Sequence, residues 1–159
     1  MNDVTYQLRW ARRHDDAALA DVMFDAVRNG PSAYTQAQRQ QWVPERRAGA
    51  EWTERLAQQS IIVAEDADQI VGFMSLADGG YIDFAYIRPS AQGSGLFRLL
   101  YSAVEKRGRA DGATKLWVHA SLMARPAFAA VGFSVVERQV VALGDERFER
   151  FKMELKTAT

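Results

Sequence analysis

The apolar positions of the chain follow two periods, and these divide it into strands and helices. Alternation over Thr5 to Trp10 predicts a first strand. His14-Asp15-Asp16 then puts carboxylates where a helix begins and its dipole is positive. Leu19, Val22, Met23, Ala26 and Val27 form the apolar stripe of that helix, which Asn29-Gly30-Pro31 ends. Helical spacing returns over Tyr34 to Trp42, with Thr35 as cap and Pro44 as stop. It returns again over Ala50 to Gln58, where Trp52 and Leu56 share a face. Ile61 to Glu65 and Gln69 to Ala77 read as the arms of a hairpin across Asp66-Ala67-Asp68. Asp78-Gly79-Gly80 turns the chain into a third consecutive strand, Tyr81 to Arg88.

A loop with Pro89 and two glycines leads into the most strongly patterned segment, a helix over Leu96 to Ala110. Leu96, Leu99, Leu100, Ala103 and Val104 point to the core, and Arg98, Ser102, Glu105 and Arg109 to water. Lys115 to His119 predicts a strand and Arg125 to Val131 a short helix. Phe133 to Leu143 and Glu146 to Leu155 pair around Gly144-Asp145. The sum is an α+β (mixed α/β) fold, with one mixed, largely antiparallel sheet covered by helices on both faces.

Composition narrows the classes. At 159 residues, without a linker or repeat, the chain reads as a single domain, 1–159. It has no cysteine, which removes disulfides, thiolate metal sites and a cysteine nucleophile, and fits a cytoplasmic protein. Its two histidines, His14 and His119, argue against zinc, so no metal is expected. Lys+Arg 20 balances Asp+Glu 20, which gives no electrostatic reason to expect nucleic acid. Met1 to Trp10 lacks the apolar run of a signal peptide, and no window approaches the ~20 apolar residues of a membrane span. The late hairpin offers a route to a homodimer.

The chemistry concentrates in Tyr81-Ile-Asp-Phe-Ala-Tyr-Ile-Arg-Pro-Ser-Ala-Gln-Gly-Ser-Gly-Leu96. A strand ends at Pro89, and Gln92, Gly93 and Gly95 lead straight into an amphipathic helix. Glycines let the backbone approach a ligand, and the first helical turn offers unpartnered amides. With the helix dipole these make an anion site suited to a pyrophosphate. A plain turn before a core helix would look similar. The run is too short for a dinucleotide fingerprint and follows antiparallel strands.

The stretch resembles the acetyl-CoA loop of the Gcn5-related N-acetyltransferases (GNAT), Gln/Arg-x-x-Gly-x-Gly/Ala. Gln92 and Gly95 match, and Phe97 departs where the family has Gly or Ala. Downstream, Ser121-x-x-Ala124-x-x-x-Phe128-x-x-x-Gly132-Phe133 resembles the family's Asn-x-x-Ala-x-x-x-Tyr-x-x-x-Gly-Phe. The order of elements matches from about Thr5 to Leu155. Ala33-Tyr34-Thr35, Gln41-Trp42, Tyr81-Ile82-Asp83 and Ala120-Ser121 are similar to a bacterial subgroup of poorly defined substrate.

The resemblance implies transfer of an acetyl group from acetyl-CoA to an amine. The backbones of Ala85, Tyr86 and Ile87 would pair with the pantetheine arm. Gln92 and the amides of Gly93, Ser94, Gly95, Leu96, Phe97 and Arg98 would hold the pyrophosphate. Phe128 would lie against the cofactor where many members have a tyrosine acid, but has no proton to give. Ser121 takes the Asn position; its hydroxyl can reach the sulfur or cap the helix that follows. Tyr34, Gln38 and Trp42, spaced by four, would roof the acceptor pocket, or pack the helix to the sheet.

For the base, Tyr81 and Asp83 share a strand face. Tyr81 aligns with the catalytic glutamate of some members, and Asp83 supplies a carboxylate that desolvation would make a stronger base. Asp83 can instead be a strand-end carboxylate bonded to a neighbouring loop. His119 is the weaker candidate, because a lone strand-end histidine is commonly structural. The leading expectation is therefore an N-acetyltransferase for a primary amine of a small molecule. The alternatives are a protein lysine or N-terminal acetyltransferase, and an acyl-CoA-binding sensor without turnover.

Overall fold

A computed structural model describes residues 5–157. Among them β1 (Gln7–Trp10) leads through a short 3-10 turn into α1 (Asp16–Asn29). The helices α2 (Gln36–Trp42) and α3 (Gly49–Ala57) follow, then the hairpin β2 (Ser60–Asp66) and β3 (Gln69–Leu76). Next come β4 (Tyr81–Ile82), β5 (Ala85–Ile87), α4 (Leu96–Ala110), β6 (Lys115–Ser121) and α5 (Arg125–Ala130). The long hairpin β7 (Ser134–Leu143) and β8 (Glu146–Lys156) completes the chain. Tyr34 precedes α2 rather than lying in it, because Thr35 caps the helix.

The start of α1 is fixed by Asp15. Its buried carboxylate accepts the Arg12 N–H at 2.7 Å and pairs with Arg9 through two bonds of 2.8 and 2.9 Å. That ties α1 to β1 and holds the Asp15 carboxyl below the usual carboxylate range.

The expected third strand, Tyr81 to Arg88, is two strands that join different ladders. β1, β2, β3 and β5 form one set, and β4, β6, β8 and β7 the other. β5 pairs antiparallel with β3 through Gly72↔Ile87, whereas β4 pairs parallel with β6 through Tyr81↔Trp117. Near the break the sets still touch: the Ala77 N–H donates to Tyr81 O, and Ser75 donates its N–H to Phe84 O. The sheet is therefore continuous at one end and splayed at the other, with Asp83 and Phe84 at the fork. The mixed α/β class stands, and the splay is what a strand-by-strand reading lacks. Phe84 is buried against Trp52 and Phe73, and this anchors the fork in the core under α1 and α3.

The face of the sheet opposite α1 and α3 carries α4, which buries Leu96, Leu100 and Val104. Each contributes about 1.5–3 kcal/mol relative to exposure. Leu99, expected in that stripe, is 47% exposed, because the packed arc of α4 is narrower than the sequence pattern. On β6, Leu116, Val118 and Ala120 point into this same core, and Trp117, His119 and Ser121 point away from it. No helix among the described residues is long and apolar enough to cross a membrane.

Candidate functional site

The fork leaves β5 as an edge strand, bonded to β3 on one side only. Beside it lies a cleft of about 410 Å³. Ala85, Tyr86 and Ile87 form one wall, and Ser121 and Ala124 lie across it. Its end is closed by the loop before α4, with Gln92, Gly93 and Gly95.

That loop is fixed from behind. Arg88 reaches Asp21 at 2.8 Å and Asp25 at 3.2 Å on α1. The Gln92 side-chain amide donates to Ile87 O at 3.2 Å. The Ser94 hydroxyl donates to Ala91 O at 2.6 Å and accepts from Tyr6 at 2.8 Å. Ser94 thus holds the loop with its side chain, which is not part of the cleft wall. Gly93 and Gly95 have φ of +76° and +82°. A Cβ at either would meet nothing within 4 Å, so backbone conformation, not crowding, calls for glycine. Gly95 immediately precedes α4, and no side chain caps the helix. The first-turn N–H groups of a 15-residue helix are therefore left for a ligand, next to Phe97 and Arg98 on the wall.

The two phenylalanines that depart from the family pattern meet each other. The rings of Phe97 and Phe128 lie 5.0 Å apart, edge to face, and Phe133 packs on Phe128 at 5.1 Å. Phe128 is 0% exposed and lines no part of the cleft. Its expected cofactor contact is corrected: the ring fills the core beneath the cleft, where a phenol hydroxyl would need a partner.

A second cavity of about 180 Å³ adjoins the cleft and shares Tyr34, Trp42 and Ser121 with it. Phe148, Leu143 and Val141 from the late hairpin complete its apolar walls, and His119 and Arg150 supply its polar groups. Tyr34, Trp42 and Phe148 pack mutually edge to face, with ring separations of 5.5 to 6.2 Å. The Tyr34 hydroxyl donates to Glu149 O at 2.6 Å and accepts from the Leu122 N–H at 3.1 Å, which bolts β8 to the β6–α5 loop. Burial pushes its phenol pKa up. Gln38 is not on either wall. Its side chain closes the capping box with Thr35 at 2.7 Å and donates to Arg147 O at 2.5 Å. Its expected substrate contact is thereby corrected to a structural one.

Ser121 does not cap α5 itself, which starts after Ala124 without a side-chain cap; its hydroxyl holds the turn ahead of that helix. Ser121 Oγ accepts the Ala124 N–H at 3.1 Å, and the residue forms part of both cavities. Asp83 differs from expectation. The carboxylate is paired bidentately with Arg55, at 2.8 and 3.0 Å, and accepts from Gln59 at 2.8 Å. Arg55 in turn lies over the Phe84 ring at 4.4 Å. Asp83 is thus a compensated anion at the fork, on neither cavity wall, not an isolated desolvated base.

Tyr81 lies against His119, one of the residues of the second cavity. Its ring stacks on Trp117 at 4.3 Å, and its hydroxyl is 3.5 Å from His119 Nδ1. Burial, then the negative charge of Asp83, raises the Tyr81 phenol pKa. His119 is pushed the other way, below the usual imidazole value, first by burial and then by the positive charges of Arg150 and Lys152. The shift favours the neutral ring, the form that can take a proton. Sequence reasoning ranked His119 low and missed Arg150 and Phe148. Only the strand register places them: Ser121 lies opposite Arg150, and His119 opposite Lys152.

Comparison with known proteins gives a consistent result. Residues 31–156 match the family model described as an acetyltransferase (GNAT) domain. The uncharacterized N-acetyltransferase YafP of Escherichia coli (strain K12) is 32% identical over 105 residues. That alignment covers 66% of this chain and 66% of YafP, just under two thirds of its length. A GCN5-related N-acetyltransferase structure from Rhodopseudomonas palustris, also described as a class-II aminotransferase, superposes with a TM-score of 0.88 at 28% identity, covering 98% of both chains. The structure of yncA, a putative acetyltransferase from Salmonella typhimurium with its cofactor acetyl-CoA, has a TM-score of 0.72 at 19% identity. It covers 98% of this chain and 95% of that one, and the likeness is one of fold.

Proposed function

This chain belongs to the GNAT acetyltransferase family, and from that premise we propose that it moves an acetyl group from acetyl-CoA to the amine of a small molecule held in the aromatic cavity. One observation carries the reading. The cleft that ends at the uncapped start of α4 and the aromatic cavity meet at Tyr34, Trp42 and Ser121. A donor laid along β5 and an acceptor under the late hairpin would meet there.

The cleft fits the donor. Its floor is an edge strand with spare backbone groups, its end is a set of unpartnered N–H groups, and its two glycines keep that end free of side chains. Gly93, Ser94, Gly95, Leu96, Phe97 and Arg98 would hold the pyrophosphate, and Ala85, Tyr86 and Ile87 the pantetheine arm. When bound, acetyl-CoA supplies the activated acyl group.

The chain's own residues manage the protons. In our reading Tyr81 O, 3.5 Å away, accepts from His119 Nδ1–H, and the negative charge of Asp83 acting on the phenol favours that polarity. Nε2 is then the basic nitrogen of a neutral ring, and it takes the proton of the acceptor amine. A positioned base of this kind contributes about 10²–10⁴-fold. The Ser121 oxygen already accepts the Ala124 N–H, so its own O–H is free to hydrogen-bond the departing thiolate, which takes up the proton that His119 received. The Phe97–Phe128 pair gives both phenylalanines a packing role, a reason for them other than loss of turnover.

The test is thiol release by the full chain from acetyl-CoA across a panel of primary amines, with calorimetry of acetyl-CoA binding in parallel. Turnover on at least one amine is expected. Micromolar binding without turnover on any amine overturns the enzyme reading, and no binding overturns the assignment of the cleft.

A further inference from the structure

The aromatic cavity contains a cation without a counter-charge. Arg150 forms part of its wall, and among the described residues no carboxylate lies within salt-bridge distance of its guanidinium. Arg150 Nε donates to the Gln139 side-chain oxygen at 2.8 Å. That bond holds the plane of the fork from the β7 side and leaves the terminal nitrogens for another acceptor. Three neighbours feel the charge: Tyr34, Tyr81 and His119 each have Arg150 acting on them. The guanidinium is therefore central to the pocket, not a solvated surface group.

Two nearby anions are already matched, while Glu137, whose charge reaches His119, is in no ion pair among the described residues. Glu149 pairs with Arg138 at 2.8 Å, and Asp83 with Arg55. A guanidinium held in orientation among Tyr34, Trp42 and Phe148 is suited to a planar, bidentate anion, and a carboxylate has that geometry. The spacing is also informative. Arg150 and Ser121 are direct partners across β6 and β8, so an anion on Arg150 lies within a few atoms of an amine beside Ser121. The cavity, at about 180 Å³, lies below the roughly 300–1,000 Å³ of drug-sized pockets, so it suits one modest apolar group.

Resting on the acetyl-transfer reading above, we infer that the acceptor is a free amino acid with an aromatic or branched aliphatic side chain, and that Arg150 reads its carboxylate. The acetyl–sulfur bond breaks and an amide bond forms at the amino nitrogen. The amine's proton goes to His119 and from there to the departing thiolate, which the Ser121 O–H stabilises by a hydrogen bond. A protein lysine or an internal peptide amine lacks the adjacent carboxylate and leaves Arg150 unmatched.

The experiment compares L-phenylalanine with phenylethylamine, and L-leucine with isoamylamine, in the thiol-release assay. The same ligands are titrated calorimetrically against the chain saturated with coenzyme A. The wild type should favour the amino acid of each pair by about tenfold to a hundredfold in kcat/KM and in Kd, as a charge-assisted pair requires. Arg150→Met should collapse the ratio toward one, Arg150→Lys should restore part of it, and Gln139→Leu should raise the amino-acid KM more than it lowers kcat. Thermal melts check that each variant is folded. Equal use of acid and amine by the wild type, or a ratio that survives Arg150→Met, overturns the inference, as does binding of neither amino acid. If nothing turns over, the reaction fails as proposed; calorimetry still decides the carboxylate, because charge-selective binding lost in Arg150→Met supports it.

Discussion

Gly95→Asp separates the two demands placed on the loop before α4. Gly95 sits at φ +82° with open space where a side chain would begin. A non-glycine residue there costs about 1–2 kcal/mol in backbone conformation, and aspartate is among the better-tolerated replacements. No steric cost adds to this. Gly95→Ala and Gly95→Asp should therefore lose similar, modest stability. They should differ in acetyl-CoA affinity. The new carboxylate would stand roughly 6 Å from a bound phosphate, and at an effective dielectric of about 20–40 each pair of like charges repels by ~1.4–2.8 kcal/mol. That is about tenfold to a hundredfold in Kd, less the part that salt screens. Titration calorimetry with acetyl-CoA should show the aspartate variant markedly weaker than the alanine variant, with the gap narrowing at high salt. Equal affinities in the two variants, at any salt, would refute the placement of the diphosphate at the start of α4.

Other outcomes follow from the same geometry. His119→Gln should lower kcat by about a hundredfold and leave acetyl-CoA binding intact. Because burial and Arg150 hold the imidazole below its ordinary 6.5, the base stays unprotonated to lower pH. The acid limb of the wild-type kcat/KM profile should accordingly fall below pH 6.5, and it should vanish in the variant. Asp83→Asn should leave the half-exposed Arg55 facing a neutral amide, at about 1 kcal/mol in a denaturation curve. It should lower kcat without changing the Kd for acetyl-CoA; an unchanged pH–rate profile would remove Asp83 from the proton path. Phe97 and Phe128 should couple by about 0.5–1.5 kcal/mol in a double-mutant cycle of leucine replacements. Additive losses would mean that the two departures arose independently. Asp15, whose carboxyl is depressed chiefly by Arg9, should contribute stability that is complete above its ordinary value and lost as pH falls through the depressed one.

Much of the molecule was decided by local pattern. α4 begins at Leu96 and ends at Ala110, where the apolar period and the flanking glycines set it. Thr35 caps α2, and Gly144-Asp145 turns the late hairpin, because these are contests among near neighbours. The loop proposed to receive the donor was legible for the same reason: two glycines and a helix start lie within six residues. The acceptor side was not legible. Whether Tyr81 to Arg88 stays one strand or forks depends on β3 and β6, distant in the sequence, competing for its edges, and the burial of Phe84 resolves that contest. The same long-range register put Arg150 beside Ser121, gave Arg55 to Asp83 and turned Gln38 to a backbone carbonyl. Spacing along a chain specifies which face a side chain takes. Only the assembled sheet specifies what that face meets.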